Sequence, residues 1–432
     1  MGTKLIDTKE IYKIIYKLAK DANINLPLCV FEKIKNCNSD EDIKNEILQN
    51  AYLAKTKSRP LCQDCGQVVV FIEIGQNIKL EGDYIEDVIN KAISDCYTEN
   101  YFRKSVVIDA INNRDNTKNN TPAIIHTKII KEDEINILLA LKGGGAENTC
   151  QIKMFNPTAS KEEIFDFIRE TAKNAIKFAC PPISIGVGIG GVLETSCELA
   201  KKALFEGEDV DINLKDVFEA KMLTTSTHIA NLPVCVNINC HSSRFKKAHI
   251  NFDNQNYKIT FEEDNFTPKK IDLNKEYKKI NTNNLEDFKE LKIGEKILLS
   301  GTIYTARDMA HKRLVDLIKK EEKLPINLKD IFIFYAGPAP KKDNEVIGPV
   351  GPTTSKRMDN YAKILYDNGV FATIGKGDRQ EDLKPYLTAT GGVACLLQDC
   401  ILKSEVVAFE DLGAEAIYKL EIKDMPLTVK NI

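Results

Sequence analysis

The sequence lacks a strong net charge, a long apolar run and a repeated cysteine pair, and each absence excludes a class of protein. The 432 residues carry a formal net charge of −3, which gives no electrostatic case for binding nucleic acid or an anionic membrane. No apolar run approaches the roughly 20 residues of a membrane-spanning helix. Residues 1–7 contain no signal-peptide core, so we expect a cytoplasmic protein.

The 12 cysteines are therefore expected to be reduced thiols rather than a disulfide framework. Cys62-x-x-Cys65 lacks the second such pair that a zinc ribbon needs. A thioredoxin-like pair should begin a helix, whereas a β-rich run follows here. Most other cysteines are interpreted as small buried hydrophobes, namely Cys29, Cys37, Cys96, Cys150, Cys197, Cys235, Cys395 and Cys400.

Three cysteines lie far apart, each in a setting that suits an iron–sulfur ligand. Cys62 follows Arg59-Pro60-Leu61, Cys180 precedes two prolines, and Cys240 ends an apolar run before His241. Three thiolates on a four-iron cluster leave one iron open to a hydroxyl or carboxylate oxygen. The pattern therefore favours hydration or dehydration chemistry over electron transfer.

The length allows two or three domains with real cores. Apolar periodicity predicts helices over 8–22, after Asp40, over 84–98 and over 161–179, with Thr8 as a cap for the first. Strands are predicted over 67–73, 135–141 and 183–185, and a hairpin over 257–261. Between 249 and 290 the composition shifts to Asn, Lys, Asp and Glu, which places a domain junction near residue 280. The C-terminal part is expected to alternate strands with two helices.

The run Gly186-x-Gly188-x-x-Gly191 matches the dinucleotide-binding fingerprint. No clear second strand ends in an acidic residue about 20 positions later, where a ribose partner should lie. We therefore interpret the glycines as a tight strand-to-helix turn packed near the cluster.

Four basic residues recur in loops rich in glycine, threonine or asparagine: Arg114, Arg307, Arg357 and Lys376. Such loops allow close approach to a small anion, and arginine suits bidentate binding of a carboxylate. His228 has three readings, a core histidine, a cluster ligand or a hydrogen-bond donor to substrate, and we favour the donor.

Taken together, these segments resemble class I fumarate hydratase, the oxygen-sensitive iron–sulfur fumarase, and the related L-tartrate dehydratase. The resemblance covers nearly the whole chain in the family's order, and alpha-type and beta-type parts that are separate subunits in many members are fused here. The motifs are Cys62-Gln63-Asp64, Gly143–Asn148, Cys180-Pro181-Pro182, Thr227-His228, Cys240-His241, Ser300–Thr305, Gly351–Ser355 with Arg357-Met358-Asp359, Gly375-Lys376-Gly377 and Glu410–Ala416.

The resemblance implies a mixed α/β fold with an iron–sulfur N-terminal domain (1–280), a smaller C-terminal β/β/α swivelling-type domain (281–432), and the active site between them. It implies that Cys62, Cys180 and Cys240 hold a [4Fe–4S] cluster. It also implies a candidate base, Thr353, with Asp64 as its partner, although the Thr353 hydroxyl could instead only donate to substrate. The implied substrate-binding residues are Gln63, Asp64, Arg114, Gly144, His228, Arg307, Thr353, Thr354, Arg357 and Lys376.

The implied activity is that of a hydro-lyase of the tricarboxylic acid cycle, the reversible hydration of fumarate to L-malate. The implied partner is a small dicarboxylate substrate, and we expect neither nucleic acid nor a membrane as a partner. The protein is expected to be a cytoplasmic homodimer that loses activity in air. The stretch Gly301–His311 favours fumarase over the alternatives, L-tartrate dehydratase or mesaconase. A non-catalytic iron–sulfur redox sensor is a further alternative, but it would not need Thr353, Arg357 and Lys376. Cys65 stands where the family usually has Thr, which leaves open which thiol binds the cluster.

Overall fold

The computed structural model describes residues 3–112, 114–242, 244–254, 256–262, 266–273 and 277–432. The chain forms two compact units. The N-terminal unit comprises Met1–Ser39, Ala54–Pro60 and Asp64–Pro268, and the C-terminal unit comprises Asp40–Leu53, Leu61–Gln63 and Lys269–Ile432. No helix of the described residues is both long enough and apolar enough to cross a membrane.

The described residues form many helices and many strands, which confirms the predicted mixed α/β class. The helices are α1 (Thr8–Ile24), α2 (Leu28–Asn36), α3 (Glu41–Lys57), α4 (Ile85–Glu99), α5 (Gly144–Glu147), α6 (Lys161–Phe178), α7 (Leu193–Glu206), α8 (Asp308–Lys319), α9 (Asp359–Asp367) and α10 (Ala394–Asp399). The strands of the N-terminal unit are β1 (Lys4–Asp7), β2 (Gln67–Gly75), β3 (Ile78–Glu81), β4 (Ile124–Ile130), β5 (Glu134–Lys142), β6 (Gln151–Phe155), β7 (Ile183–Gly191), β8 (Glu208–Asp209), β9 (Val217–Thr227), β10 (Leu232–Asn239), β11 (Phe245–Asp253) and β12 (Asn256–Phe261). Those of the C-terminal unit are β13 (Lys278–Asn281), β14 (Lys296–Thr305), β15 (Phe332–Phe334), β16 (Ala372–Gly375), β17 (Tyr386–Thr388), β18 (Ile401–Ala408) and β19 (Ile417–Asn431).

The predicted helices and strands of the N-terminal half are confirmed with small shifts at their ends, except that the strand predicted over 183–185 continues to Gly191. Thr8 is not the cap of α1, because the Asp7 carboxylate accepts the backbone N–H of Lys9 and Thr8 is the first helical residue. Helix α6 begins with a capping box, in which Ser160 and Glu163 bond each other's backbone N–H. Helix α2 was not predicted, and the C-terminal part has three helices rather than two.

The first five-stranded sheet has the order β12-β11-β5-β2-β4, and β11 and β12 form the predicted hairpin. Helices α1 and α4 pack on each other, and α1 also packs on β5 and β11. The apolar stripe of α1 is buried in this core through Ile11, Ile14, Ile15 and Leu18. This core supports the loop that carries Asp64, because that loop leads directly into β2.

The second five-stranded sheet has the order β6-β10-β7-β9-β8 and carries α7 against β7, β9 and β10. The predicted glycine turn is wrong for Gly186 and Gly188, which lie inside β7, whereas Gly191, with a φ of +70°, ends the strand directly before the cap of α7. A Cβ on Gly188 would lie 2.1 Å from the Ser196 carbonyl oxygen, and one on Gly186 would lie 2.1 Å from that of Ala200. These glycines therefore let α7 lie directly on the strand, and they do not form a phosphate-binding turn.

The C-terminal unit contains a seven-stranded sheet whose pairing closes on itself. Strands β14, β15, β16 and β17 are parallel neighbours, and β19 pairs antiparallel with both β17 and β14. The remaining strands, β13 and β18, lie beside β14 and β19. The ring places the ends of β14 and β16, which lead into Arg307 and Lys376, on parallel strands of one sheet.

Candidate active site

Two of the three predicted cluster cysteines lie at the ends of secondary-structure elements, and Cys62 lies in the loop between α3 and β2. Cys180 follows α6, and Cys240 follows β10. The backbone N–H of His241 approaches the Cys180 carbonyl oxygen at 3.5 Å, so these two segments meet. Cys62 and Cys180 are 8% and 6% exposed, and Cys240 is half-buried, so all three thiols have little contact with solvent.

The loop of Cys62 is held inside the C-terminal unit by Asn50 of α3. The Asn50 amide donates to the Leu61 carbonyl oxygen at 2.8 Å and accepts the backbone N–H of Cys395 at 2.9 Å. The Cys62 thiol lies 3.5 Å from Oε1 of Gln63. A Cβ on Gly351 would be 2.3 Å from the same oxygen, so Gly351 makes room for the Gln63 side chain.

All twelve cysteines lie within the described residues, and all are free thiols there. Cys96, Cys235 and Cys395 are buried as predicted, but Cys29 is exposed on α2, so its predicted burial is wrong. The others of that set, Cys37, Cys150, Cys197 and Cys400, are only partly buried. Among the described residues, no three His, Cys, Asp or Glu side chains converge on a site for a single metal ion.

Cys65 belongs to the hydrophobic core beside β2. It is fully buried, and its sulfur accepts the backbone N–H of Arg103 at 3.2 Å. Its carbonyl oxygen accepts the Tyr97 hydroxyl at 2.8 Å. These contacts give Cys65 the environment of a core residue.

Asp64 is fixed by the two glycine segments around it. One carboxylate oxygen accepts the backbone N–H of Gly66 at 3.1 Å, and the other accepts that of Gly144 at 2.9 Å. The Arg244 guanidinium donates to the Asp64 carbonyl oxygen. Gly66 has a φ of +71°, and a Cβ there would lie 2.8 Å from the Lys142 carbonyl oxygen, so only glycine suits this turn.

A buried lysine lies directly before the glycine segment, and sequence reasoning missed it. Lys142 donates to Oδ1 of Asn237 at 2.8 Å and lies 3.4 Å from the Glu147 carboxylate, which Lys201 also contacts at 2.8 Å. Burial lowers the pKa of Lys142. Burial opposes ionisation of Glu147, but the two lysines outweigh it and hold the pKa of this carboxyl below its usual value. The glycine segment is thus flanked by a partly buried ionic network.

Two segments of the C-terminal unit pair side by side and bring Thr353 and Lys376 together. The backbone N–H of Lys376 donates to the Thr353 carbonyl oxygen at 3.1 Å, and that of Ser355 donates to the Lys376 carbonyl oxygen at 2.9 Å. Thr354 and Lys376 form a parallel bridge. A Cβ on Gly375 would lie 2.0 Å from the Ser355 hydroxyl, which explains the glycine before the lysine.

Arg307 and Arg357 meet at the start of α8, where both contact Asp308. Arg357 forms a fork with Asp308 through Nε at 3.1 Å and Nη2 at 2.6 Å. The Arg307 Nε lies 3.5 Å from the same carboxylate, and its Nη2 lies 3.1 Å from Glu415. The sequence predicted both arginines but neither carboxylate.

Arg114 and His228 have local contacts in exposed loops. The Arg114 guanidinium donates to the Ala110 carbonyl oxygen at 2.7 Å. Nδ1 of His228 accepts the backbone N–H of Ala230 at 3.2 Å. His228 is exposed, so the reading as a core histidine is wrong.

Comparisons with known proteins match both parts of the chain. A family model described as fumarate hydratase (fumerase) matches residues 12–216, and one described as the fumarase C-terminus matches 246–431. The anaerobic class I fumarate hydratase of Escherichia coli (strain K12) is 28% identical over 447 residues, which cover 90% of this chain and 80% of that protein. Fumarate hydratase 2 of Leishmania major is 27% identical over 454 residues, covering 90% of this chain and 78% of that protein.

A shorter relative matches part of the chain at higher identity. This protein of Methanocaldococcus jannaschii, provisionally named L(+)-tartrate dehydratase subunit beta, is 38% identical over 158 residues, which cover 33% of this chain and 81% of that protein. The match fits a chain in which alpha-type and beta-type parts are fused. The mixed α/β fold and the matched families define an enzyme of the hydro-lyase class. The chain belongs to the fumarate hydratase family.

Proposed function

We propose that this chain catalyses the reversible hydration of fumarate to L-malate. The observation that carries the proposal is the backbone pairing of Thr353 with Lys376 in the unit that also brings Arg307 and Arg357 together. A hydroxyl, an ammonium and two guanidiniums are the groups that a dicarboxylate hydratase needs. The names of the relatives support fumarate as the substrate.

The reverse reaction, dehydration of malate, shows what these groups would do. A proton leaves the carbon beside one carboxylate and hydroxide leaves the neighbouring carbon, and together they form water. Negative charge grows on a molecule that is already a dianion. Arg307, Arg357 and Lys376 would hold the carboxylates and offset that charge, most strongly where the cations are preorganised.

Thr353 is the proposed proton acceptor, with Asp64 as its predicted partner. A threonine hydroxyl is a poor base by itself and needs activation by a neighbouring group. Two backbone N–H groups hold the Asp64 carboxylate in a fixed orientation. Replacing Thr353 with Ala should lower kcat about 100-fold or more, the usual range for losing a general base. Near-normal turnover of T353A would instead mean that the hydroxyl only donates to substrate.

The proposed cofactor is a [4Fe–4S] cluster on Cys62, Cys180 and Cys240. Their sulfur ligands are the type that such clusters prefer, none is in a disulfide, and the Cys180 and Cys240 segments meet through His241. The ligands of a cluster bind different irons, so they need not converge on one point. When bound, the cluster would supply a Lewis acid for the substrate hydroxyl and one carboxylate.

A second candidate function is dehydration of L-tartrate, favoured by the 38% identity to the tartrate dehydratase-type relative. The test is an anaerobic assay of the reconstituted protein with fumarate, L-malate, L-tartrate and mesaconate, before and after air. Fumarate–malate interconversion that is lost in air would support the proposal. Turnover of only tartrate or mesaconate would show that the substrate is not fumarate. Binding of iron and sulfide without any turnover would favour the redox-sensor hypothesis. Homodimeric assembly and a cytoplasmic location stay predictions from the resemblance.

A further inference from the structure

The carboxylate of Asp308 lies between the two arginines that the proposed function assigns to substrate. It accepts a fork from Nε and Nη2 of Arg357 at 3.1 and 2.6 Å, and Nε of Arg307 lies 3.5 Å away. A fork fixes the plane of a guanidinium as well as its position. One carboxylate thus holds the Arg357 guanidinium by hydrogen bonds and forms a longer ion pair with that of Arg307.

Two features fix the position of Asp308, the start of helix α8 and the carboxylate of Glu415. Asp308 is the first residue of α8, which begins directly after Arg307. Glu415 accepts the backbone N–H of Met309 at 2.9 Å with one oxygen and contacts Nη2 of Arg307 at 3.1 Å with the other. The start of α8 and the Arg307 side chain are therefore tied to one carboxylate, so Asp308 does not drift relative to Arg307.

The fork leaves Arg357 able to bind a second anion. A guanidinium carries five N–H donors, and the fork to Asp308 uses two of them. The Arg357 side chain is 53% exposed, so its other edge is accessible to a small molecule. Asp308 therefore restrains Arg357 without covering it.

We propose that Asp308 is a positioning residue that sets the separation and orientation of the Arg307 and Arg357 guanidiniums for binding one carboxylate of the substrate. This inference rests on the proposed function for the identity of the substrate. It differs from a simple charge effect, because Asp308 is itself an anion and its removal would make the site more positive. Electrostatics alone predicts tighter binding of a dicarboxylate after that removal, whereas positioning predicts weaker binding.

The chain offers a matched control on the same helix. Arg313 of α8 forms a fork with Asp411 through Nη1 at 2.7 Å and Nη2 at 2.5 Å, and this pair is also solvated. Within the described part of the chain, the Arg313–Asp411 pair contacts none of the proposed substrate residues. The variants to compare are Asp308→Asn and Asp411→Asn, both of which keep the side-chain shape and remove the charge.

The first measurement is the affinity of the anaerobically reconstituted protein for succinate, a dicarboxylate that can be neither hydrated nor dehydrated, by titration calorimetry. D308N should weaken succinate binding about tenfold, which corresponds to about 1.4 kcal/mol, while D411N should leave it within about twofold. In the fumarate assay, D308N should raise KM more than it lowers kcat, as expected when binding shared by ground state and transition state is lost. Asp308→Glu, which keeps the charge but moves it by one methylene, should fall between D308N and the wild type.

Four results would separate the explanations. Unchanged or tighter succinate binding by folded D308N would overturn the positioning role. Equal losses in D308N and D411N would also overturn it, because a general effect on α8 would then suffice. If D308N does not fold, the comparison of D308E with the wild type decides, and unchanged binding by D308E counts against the inference. Succinate binding that depends on Asp308 in a protein without fumarate turnover would instead reject the proposed reaction and keep the positioning role.

Discussion

The proposed catalytic residues of the C-terminal unit depend on one buried tyrosine. The Tyr386 hydroxyl lies 2.8 Å from the Ser355 hydroxyl and 2.7 Å from the Gly377 carbonyl oxygen. Ser355 lies two residues after Thr353, and Gly377 directly follows Lys376. A single hydroxyl therefore ties together the two segments that carry the proposed base and the proposed carboxylate-binding lysine.

Replacing Tyr386 with Phe should lower kcat about tenfold, because small misplacements of reacting groups are costly in rate. The free energy of unfolding should fall by about 1–3 kcal/mol, since the buried Ser355 hydroxyl and the half-buried Gly377 carbonyl each lose a hydrogen bond. The measurements are anaerobic kinetics with fumarate and urea unfolding.

Tyr366→Phe is the control for this change. The Tyr366 hydroxyl also makes two hydrogen bonds, to Thr373 at 2.8 Å and to the Pro385 carbonyl oxygen at 2.7 Å, but it touches neither segment. Y366F should lose similar stability and keep its kcat. If the two variants lose kcat equally, Tyr386 has no special link to the site.

At this scale the sequence predicts residues that stand in distinctive motifs and misses those that support them. Arg307, Arg357 and Lys376 are recognisable because glycine and threonine surround them. Tyr386 carries no such signal. Glu415 stands in the motif Glu410–Ala416, but that motif does not show that its carboxylate contacts Arg307, more than 100 residues earlier. Asp308 is next to a predicted residue, but nothing in its neighbours shows that its carboxylate faces two arginines.

Among the elements, β7 shows why a glycine motif alone is ambiguous. The spacing of Gly186, Gly188 and Gly191 fits both a phosphate-binding turn and a strand covered closely by a helix. The strand is correct here because the backbone of α7 occupies the space where side chains would stand. The sequence contains the glycines but does not show which surface approaches them.

Gly188→Ala should destabilise the N-terminal unit by about 3 kcal/mol. The Cβ of the new alanine would be 2.1 Å from the Ser196 carbonyl oxygen and 2.4 Å from the Ala200 nitrogen. Backbone atoms of a packed helix can move away only by distorting the helix, which costs free energy. The measurement is urea unfolding of the reconstituted protein, followed by circular dichroism.

Gly144→Ala is the matched change at an open position, where a Cβ would meet nothing within 4 Å. It should keep the stability of the wild type and, if Gly144 lines the substrate site as predicted, raise KM for fumarate. A stable G188A protein would show that α7 does not lie against β7. An unaltered KM in G144A would remove Gly144 from the proposed substrate residues.

Across the whole molecule, the mixed α/β class could be predicted from alternating periodicities, but the long-range pairing could not. Strand β19 pairs with β14, and more than 100 residues separate the paired positions Lys296 and Thr428. The residues Asp40–Leu53 and Leu61–Gln63 pack with the C-terminal unit although they lie early in the chain. Local composition describes a segment but does not show which distant segment it packs against. The change in composition after residue 249 therefore could not reveal this arrangement.

The C-terminal unit contains a buried acid that should make its stability depend on pH. Glu46 of α3 is 3% exposed, and burial raises its pKa from 4.5 to about 7, although Thr390 and Lys296 favour the charged form. Because the pKa is higher in the folded state than in the unfolded state, the stabilisation is complete below about pH 4.5 and is lost as the pH rises through 7. The difference between a pKa of 4.5 and one of about 7 corresponds to about 3 kcal/mol.

Glu46→Gln should therefore raise the free energy of unfolding by about 3 kcal/mol near pH 8.5 and change it little near pH 5. The measurement is urea unfolding of both proteins at the two pH values. Glu41→Gln is the control, because Glu41 is a 77% exposed acid on the same helix, paired with Lys44. E41Q should differ from the wild type by the same amount at both pH values, because any loss comes from removing one partner of the buried Lys44 side chain and not from a buried acid. Since desolvation penalises only the charged carboxylate, a gain in E46Q that is equal at both pH values would mean that Glu46 acts through packing and not through its proton.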